Sequence, residues 1–160
     1  MFLLALTLIA SEPPPRPATV EVVRDPITDE IRAYATVRDD GNRLVVSCAP
    51  ADYQGARITF HSRRWLARGH FLSGDRPLIY RFDQQPPRRM LWDIDDRHGT
   101  LTRPVRVAAF LAGLQSARRL VIRTRDLENR RLDLVFRLND VAPAVERAMA
   151  ACIGGWEEPT

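Results

Sequence analysis

Between residues 31 and 48 the chain alternates strictly on both sides of a tight-turn signal, and this limits the fold more than any other stretch. Ile31, Ala33, Ala35 and Val37 alternate with Arg32, Tyr34, Thr36 and Arg38. Asp39-Asp40-Gly41-Asn42 follows, and then Leu44, Val46 and Cys48 alternate with Arg43, Val45 and Ser47. A period of two marks a strand with one buried face, and Asp-Gly between two such strands marks a hairpin. The hairpin puts Cys48 on the inward face with Leu44 and Val46.

The same reading extends along the chain. Ala18–Arg24 is a short β-rich run, and Asp25-Pro26-Ile27-Thr28-Asp29 is a turn. Tyr53-Gln54-Gly55 is another turn, before a strand over 56–63. Strands follow at 78–83 and 89–94, separated by Gln84-Gln85-Pro86-Pro87, and Asp95-Asp96-Arg97-His98-Gly99 reads as a loop. The stretch from Trp65 to Pro77 shows no clear period. The period then changes. Val107, Phe110, Leu111 and Leu114 share one face of a helix over about 104–115, with Pro104 in its first turn. Two strands over 119–125 and 131–138 enclose a turn at Leu127-Glu128-Asn129-Arg130. A last helix over about 140–152 carries Val141, Val145, Ala148, Met149 and Cys152 on one stripe. Asp140 is placed to cap it, and Gly154-Gly155 to end it. Strands and helices are segregated, so the expected class is α+β. That means a largely antiparallel sheet of six to eight strands with two helices, the last one C-terminal and packed on the sheet.

With 160 residues the chain suits one domain. The expected division is a signal and Pro-rich linker over 1–17, a globular domain over 18–153 and a tail over 154–160. The signal reading rests on Phe2–Ala10, apolar except for Thr7. That run is too short for a bilayer span, which needs about 20 residues, but it fits the apolar region of a secretory signal. Ser11-Glu12-Pro13-Pro14-Pro15-Arg16-Pro17 then reads as an extended linker. Against the signal, no basic residue precedes the run, and Leu8 is large for the position before a cut after Ala10. The expected location is periplasmic or secreted.

The location bears on Cys48 and Cys152. One lies on the inward face of the best hairpin and the other on the apolar stripe of the last helix. In an oxidising compartment they form a disulfide; in a reducing one they remain buried thiols. The bridge would close a loop of roughly 105 residues, which on the chain-entropy model is worth up to about 4–5 kcal/mol.

All 24 basic residues are arginine, and the net charge is +4. Guanidinium forks suit phosphate and carboxylate, while a GC-rich coding sequence produces the same bias with no functional meaning. The arginines are scattered in sequence rather than gathered in a stripe, so nucleic acid is not favoured. His61, His70 and His98 lack metal-ligand spacing, and no metal or cofactor is expected. No nucleophile elbow or Gly-rich phosphate loop is present. Asp83 and Asp93 flank the Pro86-Pro87 turn. With His98 they offer one alternative, a small secreted hydrolase. Tyr80, Arg81, Asp83 and Trp92 offer another, an aromatic–arginine recognition surface of the kind enriched at interfaces. Set against that surface, and favoured over it, is the reading in which Phe82 and Trp92 belong to the core and Arg81–Asp83 is a local ion pair.

Several of these segments together resemble a known family. They are the export-like N-terminus, Asp25-Pro26-Ile27-Thr28-Asp29, Leu44-Val45-Val46-Ser47-Cys48, Tyr80-Arg81-Phe82-Asp83 with Trp92, Phe110 and Leu114 before Leu120-Val121-Ile122-Arg123, and Phe136 before a helix closing in Ala151-Cys152. Over about residues 20–152 the chain resembles the VasI/TagO-like proteins, accessory periplasmic or envelope proteins associated with type VI secretion. The pattern departs from that family where Val20-Glu21-Val22-Val23 lacks a Trp and where Phe136-Arg137-Leu138-Asn139-Asp140 lacks a small-residue turn. The resemblance implies a non-catalytic protein that binds a protein or cell-wall partner in the envelope.

Overall fold

A computed structural model describes residues 16–49, 55–66 and 75–154. The Phe2–Ala10 run, Tyr53, Gln54 and His70 lie outside them. Among the described residues the fold is α+β, with nine strands in one antiparallel sheet and two helices. The strands are β1 (Thr19–Arg24), β2 (Ile31–Asp39), β3 (Asn42–Cys48), β4 (Ala56–His61), β5 (Asp75–Phe82), β6 (Arg88–Asp95), β7 (His98–Leu101), β8 (Arg119–Arg125) and β9 (Arg131–Arg137). Helix α1 covers Pro104–Ser116 and α2 covers Val141–Gly154.

Two meanders and a hairpin make the sheet. Strands β1 to β4 pair in sequence, β5 to β7 pair in sequence, and β7 returns to β4. The β8–β9 hairpin joins the other side of β5, giving the order β1-β2-β3-β4-β7-β6-β5-β8-β9. One strand exceeds the expected six to eight, and one expected strand starts earlier than read. Strand β7 occupies part of the segment read as a loop; its four residues include Gly99 and are too few to show a period. Strand β5 begins at Asp75 and carries Pro77, which hid its start.

The tight turns follow side-chain chemistry. Asp29, Asp40, Asp83, Asp96 and Asn129 all have positive φ and stand at the strand connections β1–β2, β2–β3, β5–β6, β6–β7 and β8–β9. Asp and Asn tolerate the left-handed region better than other side chains, because they hydrogen-bond locally. Asp40 is followed by Gly41 at φ 74°, so both central residues of the best hairpin are left-handed, as its two-residue connection requires. Asp140 also has a positive φ, but its carboxylate makes no capping bond among the described residues, contrary to the expected cap.

Both helices lie on the face that carries Leu44, Val46, Ile58 and Phe60. Helix α2 packs across β2, β1 and β3. Small residues allow the approach: Ala33 and Ala35 on β2 are buried, as are Ala144, Ala148 and Ala151 on α2. Helix α1 inserts Phe110 among Tyr80, Phe82 and Trp92, with ring centroids 5.2–5.3 Å apart. Trp92 also meets Phe60 edge-on at 5.3 Å. Gly99 faces Phe60 in the β4–β7 register, and a Cβ there would overlap the Phe60 ring. Gly99→Ala is therefore expected to destabilise the protein by roughly 1–3 kcal/mol through overpacking. Urea unfolding checks this, and unchanged stability would show that the ring moves aside freely.

The sheet curls until β9 lies against β2. The two strands are joined there by side chains rather than by a backbone ladder. Arg137 donates its backbone N–H and Nε to Oδ2 of Asp39, each at 2.9 Å, and a terminal nitrogen to Oδ1 at 2.8 Å. This clasp closes the seam on which the candidate site stands.

Candidate functional site: an arginine-lined cleft

The residues singled out by sequence separate in space. Tyr80 and Trp92 are both core residues, 3% and 0% exposed. They do not form an exposed aromatic–arginine surface with Arg81. The physical reason is the strand period: Leu78, Tyr80 and Phe82 share the inward face of β5, while Arg81 points the other way. Asp83 is not an ion-pair partner of Arg81. Its carboxylate accepts the backbone N–H of Arg118 and of Arg119 and holds the entry to β8. Asp83 and Asp93 do not face each other. Asp93 stands opposite Asp75 at the far end of the β5–β6 pair, whereas Asp83 lies beyond Tyr80↔Arg88. His98 pairs in register with His61 and Asp95 rather than with Asp83 or Asp93. No group of three or more His, Cys, Asp or Glu side chains among the described residues is arranged to hold a metal ion. Cys48 and Cys152 are joined in a disulfide, with their Cα atoms 6.3 Å apart. Among the described residues no helix is long and apolar enough to cross a membrane.

What the fold does assemble is an open cleft of about 830 Å³ over the β2–β9 seam. The turn and outer residues of β2–β3 form one wall and the outer face of β8–β9 forms the other. Five arginines line it (Arg16, Arg38, Arg43, Arg119 and Arg137), with three aspartates, Asp39, Asp40 and Asp133.

The three carboxylates are all engaged by arginines. Asp39 holds Arg137. Asp40 meets Arg63 at 3.4 Å. Asp133 takes Arg123 at 2.7 Å and Arg131 at 2.9 Å. Hydrogen bonds from Arg137 pull the Asp39 carboxyl below its usual range, and those from Arg123 bring Asp133 down to about 2. The remaining arginines have no carboxylate among the described residues. Arg38 donates to the Thr19 hydroxyl at 3.2 Å. Arg43 donates to Nδ1 of His61 at 3.4 Å. Arg119 spends only its backbone N–H, on Asp83. With Arg16, which also has no carboxylate among the described residues, the cleft is therefore positive at four guanidiniums.

The register adds to this. Arg38 stands directly opposite Arg43, and Arg119 directly opposite Arg137. Like charges so placed repel. The first pair continues as one row across the sheet, from Arg43 to His61 on β4 and then to His98 on β7. The two imidazoles meet edge-on at 4.4 Å. Burial, helped by the charge of Arg43 and by His98, pushes the His61 pKa down from the usual 6.5 to about 4. His61 is therefore neutral at physiological pH and accepts from Arg43. Between pH 6.5 and about 4 the unfolded chain binds a proton that the folded chain refuses, so stability falls on acidification through that window. An NMR titration should place the His61 midpoint near 4; a midpoint near 6.5 would contradict a positive surround.

The arginines of this cleft are spread over residues 16 to 137, and their meeting depends on the sheet curling back on itself. Only the excess of arginine signalled the site in the sequence, and that signal carries no address. Comparison of the chain with protein-family models, with curated proteins and with solved structures found no match to any of them.

Proposed function

We propose that this chain is a non-catalytic exported envelope protein of the type VI secretion-associated kind, and that it holds an acidic group of a protein or cell-wall partner in the β2–β9 cleft. The observation that carries the reading is the charge imbalance there: four guanidiniums without a carboxylate among the described residues, beside three carboxylates already paired. Guanidinium forks match carboxylate and phosphate oxygens in two parallel bonds. The Cys48–Cys152 bridge supports a life in an oxidising compartment. The segment resemblance supports the envelope and secretion assignment, and sheath or tube genes beside its own would strengthen it.

The test is co-sedimentation with purified cell-wall sacculi and pull-down of envelope protein, by wild type and by Arg43→Gln and Arg119→Gln. A hydrogen bond to a charged group is worth roughly 1.5–3 kcal/mol, so each variant should lose about tenfold or more in affinity. Binding should weaken as salt rises. Full binding by both variants would remove the cleft from the function. Tighter binding to duplex DNA than to any envelope component would overturn the envelope reading.

A further inference from the structure

The donor set of the cleft says more about its ligand, given the reading of the cleft as the binding site. One carboxylate has two oxygens and is matched by a single guanidinium fork. Here, besides Arg16, three forks on the two strand walls lack an acid among the described residues: Arg38 and Arg43 on the β2–β3 wall and Arg119 on the β8–β9 wall. A singly charged group satisfies one of them and leaves the others in mutual repulsion. The opposed pairs Arg38–Arg43 and Arg119–Arg137 face one another across a single seam. The cleft, at about 830 Å³, lies within the usual range for sites that take a whole small ligand.

We infer that the group recognised is a multivalent anion, an oligophosphate or a polycarboxylate, which bridges the two walls and neutralises Arg38, Arg43 and Arg119 together. Such a ligand ties β2–β3 to β8–β9 across the seam where the Asp39–Arg137 clasp joins β2 to β9. Its binding therefore stabilises the closed sheet. His61 reports on occupancy, because Arg43 contributes to the lowering of its pKa and an anion on Arg43 offsets that charge.

The experiment titrates the full chain with inorganic tripolyphosphate, citrate and acetate at matched ionic strength. Heat of binding, melting temperature and the His61 NMR midpoint are read together. Tripolyphosphate, citrate or both should bind at least about tenfold more tightly than acetate, raise the melting temperature and move the His61 midpoint upward. The two multivalent arms separate phosphate from carboxylate recognition. Arg119→Gln and Arg43→Gln should each lose about tenfold or more, with Arg119→Lys keeping part of the affinity. Circular dichroism and an intact disulfide confirm that these exposed positions leave the fold in place. Acetate binding as tightly as the multivalent anions, or multivalent binding unchanged in both glutamine variants, overturns the inference. If no multivalent anion binds but the variants still lose the envelope partner, the cleft reading stands and the multivalent ligand is overturned. If the variants keep the partner as well, both fall.

Discussion

Replacing Cys48 and Cys152 together by serine is expected to cost about 4 kcal/mol of stability. A bridge between residues 104 apart closes a loop for which the chain-entropy model predicts close to 4.7 kcal/mol, and retained structure in the unfolded chain reduces that. The native state supplies a further reason for a large effect. Helix α2 packs on β2, and small side chains make up much of what the two bury: Ala33 and Ala35 with Val37 on β2, Ala144, Ala148 and Ala151 with Val141 and Val145 on α2. Small side chains pack closely but bury little apolar area each, so this interface yields less hydrophobic stabilisation than one built on leucine or phenylalanine. The bridge holds it from β3. Urea unfolding with and without reductant measures the loss, and hydrogen exchange should show the α2 amides losing protection first. If the serine variant and the wild type unfold at the same urea concentration, the helix is held by packing alone.

Asp39→Ala should be the next most damaging change. One carboxylate, 8% exposed, receives three donors from Arg137, whose own side chain is 27% exposed. Removing the acceptor from such a pair leaves a desolvated charge and an amide without their main partner, at a cost of roughly 3 kcal/mol. The loss falls on the seam, so the cleft walls should loosen together with the fold. The pH dependence has a definite sign. Asp39 and Asp133 have carboxyls held below their unfolded value, Asp133 near 2. Their contribution is present above the unfolded value near 3.8 and is lost as pH falls through the folded one. Acid unfolding of the wild type should therefore steepen below about pH 4, and Asp39→Asn should flatten part of that slope while Asp133, with Asp25 and Asp126, whose carboxyls are also held low, keeps the rest. An acid limb identical in wild type and variant would show that the clasp contributes nothing to acid stability.

Much of the architecture was legible in the residues, because strand alternation and turn chemistry are local. The β2–β3 hairpin follows from the alternation between Ile31 and Cys48 around Asp40-Gly41. The two helices follow from apolar spacing at Val107, Phe110 and Leu114 and at Val141, Val145 and Ala148. The inward direction of both cysteines was legible for the same reason. Strand β7 was not, since four residues including a glycine show no period. The burial of Trp92 with Phe82 was one of the two readings the residues offered, and it is the one the structure has; the burial of Tyr80 was not read. An aromatic residue on a strand suits either face in isolation, and the docking of α1, with Phe110 against both rings, seats Tyr80 inward with Trp92.

The candidate site divides along the same line. By itself the sequence determined that the chain would be a segregated α+β domain, with its two thiols aimed at one core and with guanidinium its only side-chain cation besides histidine. Where those guanidiniums gather was decided by the tertiary structure alone. Arg38 and Arg43 belong to one hairpin, Arg119 and Arg137 to another, and nothing local relates the two. Sheet twist and the helices packed on one face bring β9 round to β2, and the Asp39–Arg137 clasp then uses the carboxylate beside Arg38. The disulfide that the residues predicted pins α2 to the sheet, and the cleft that they did not predict forms where that sheet closes.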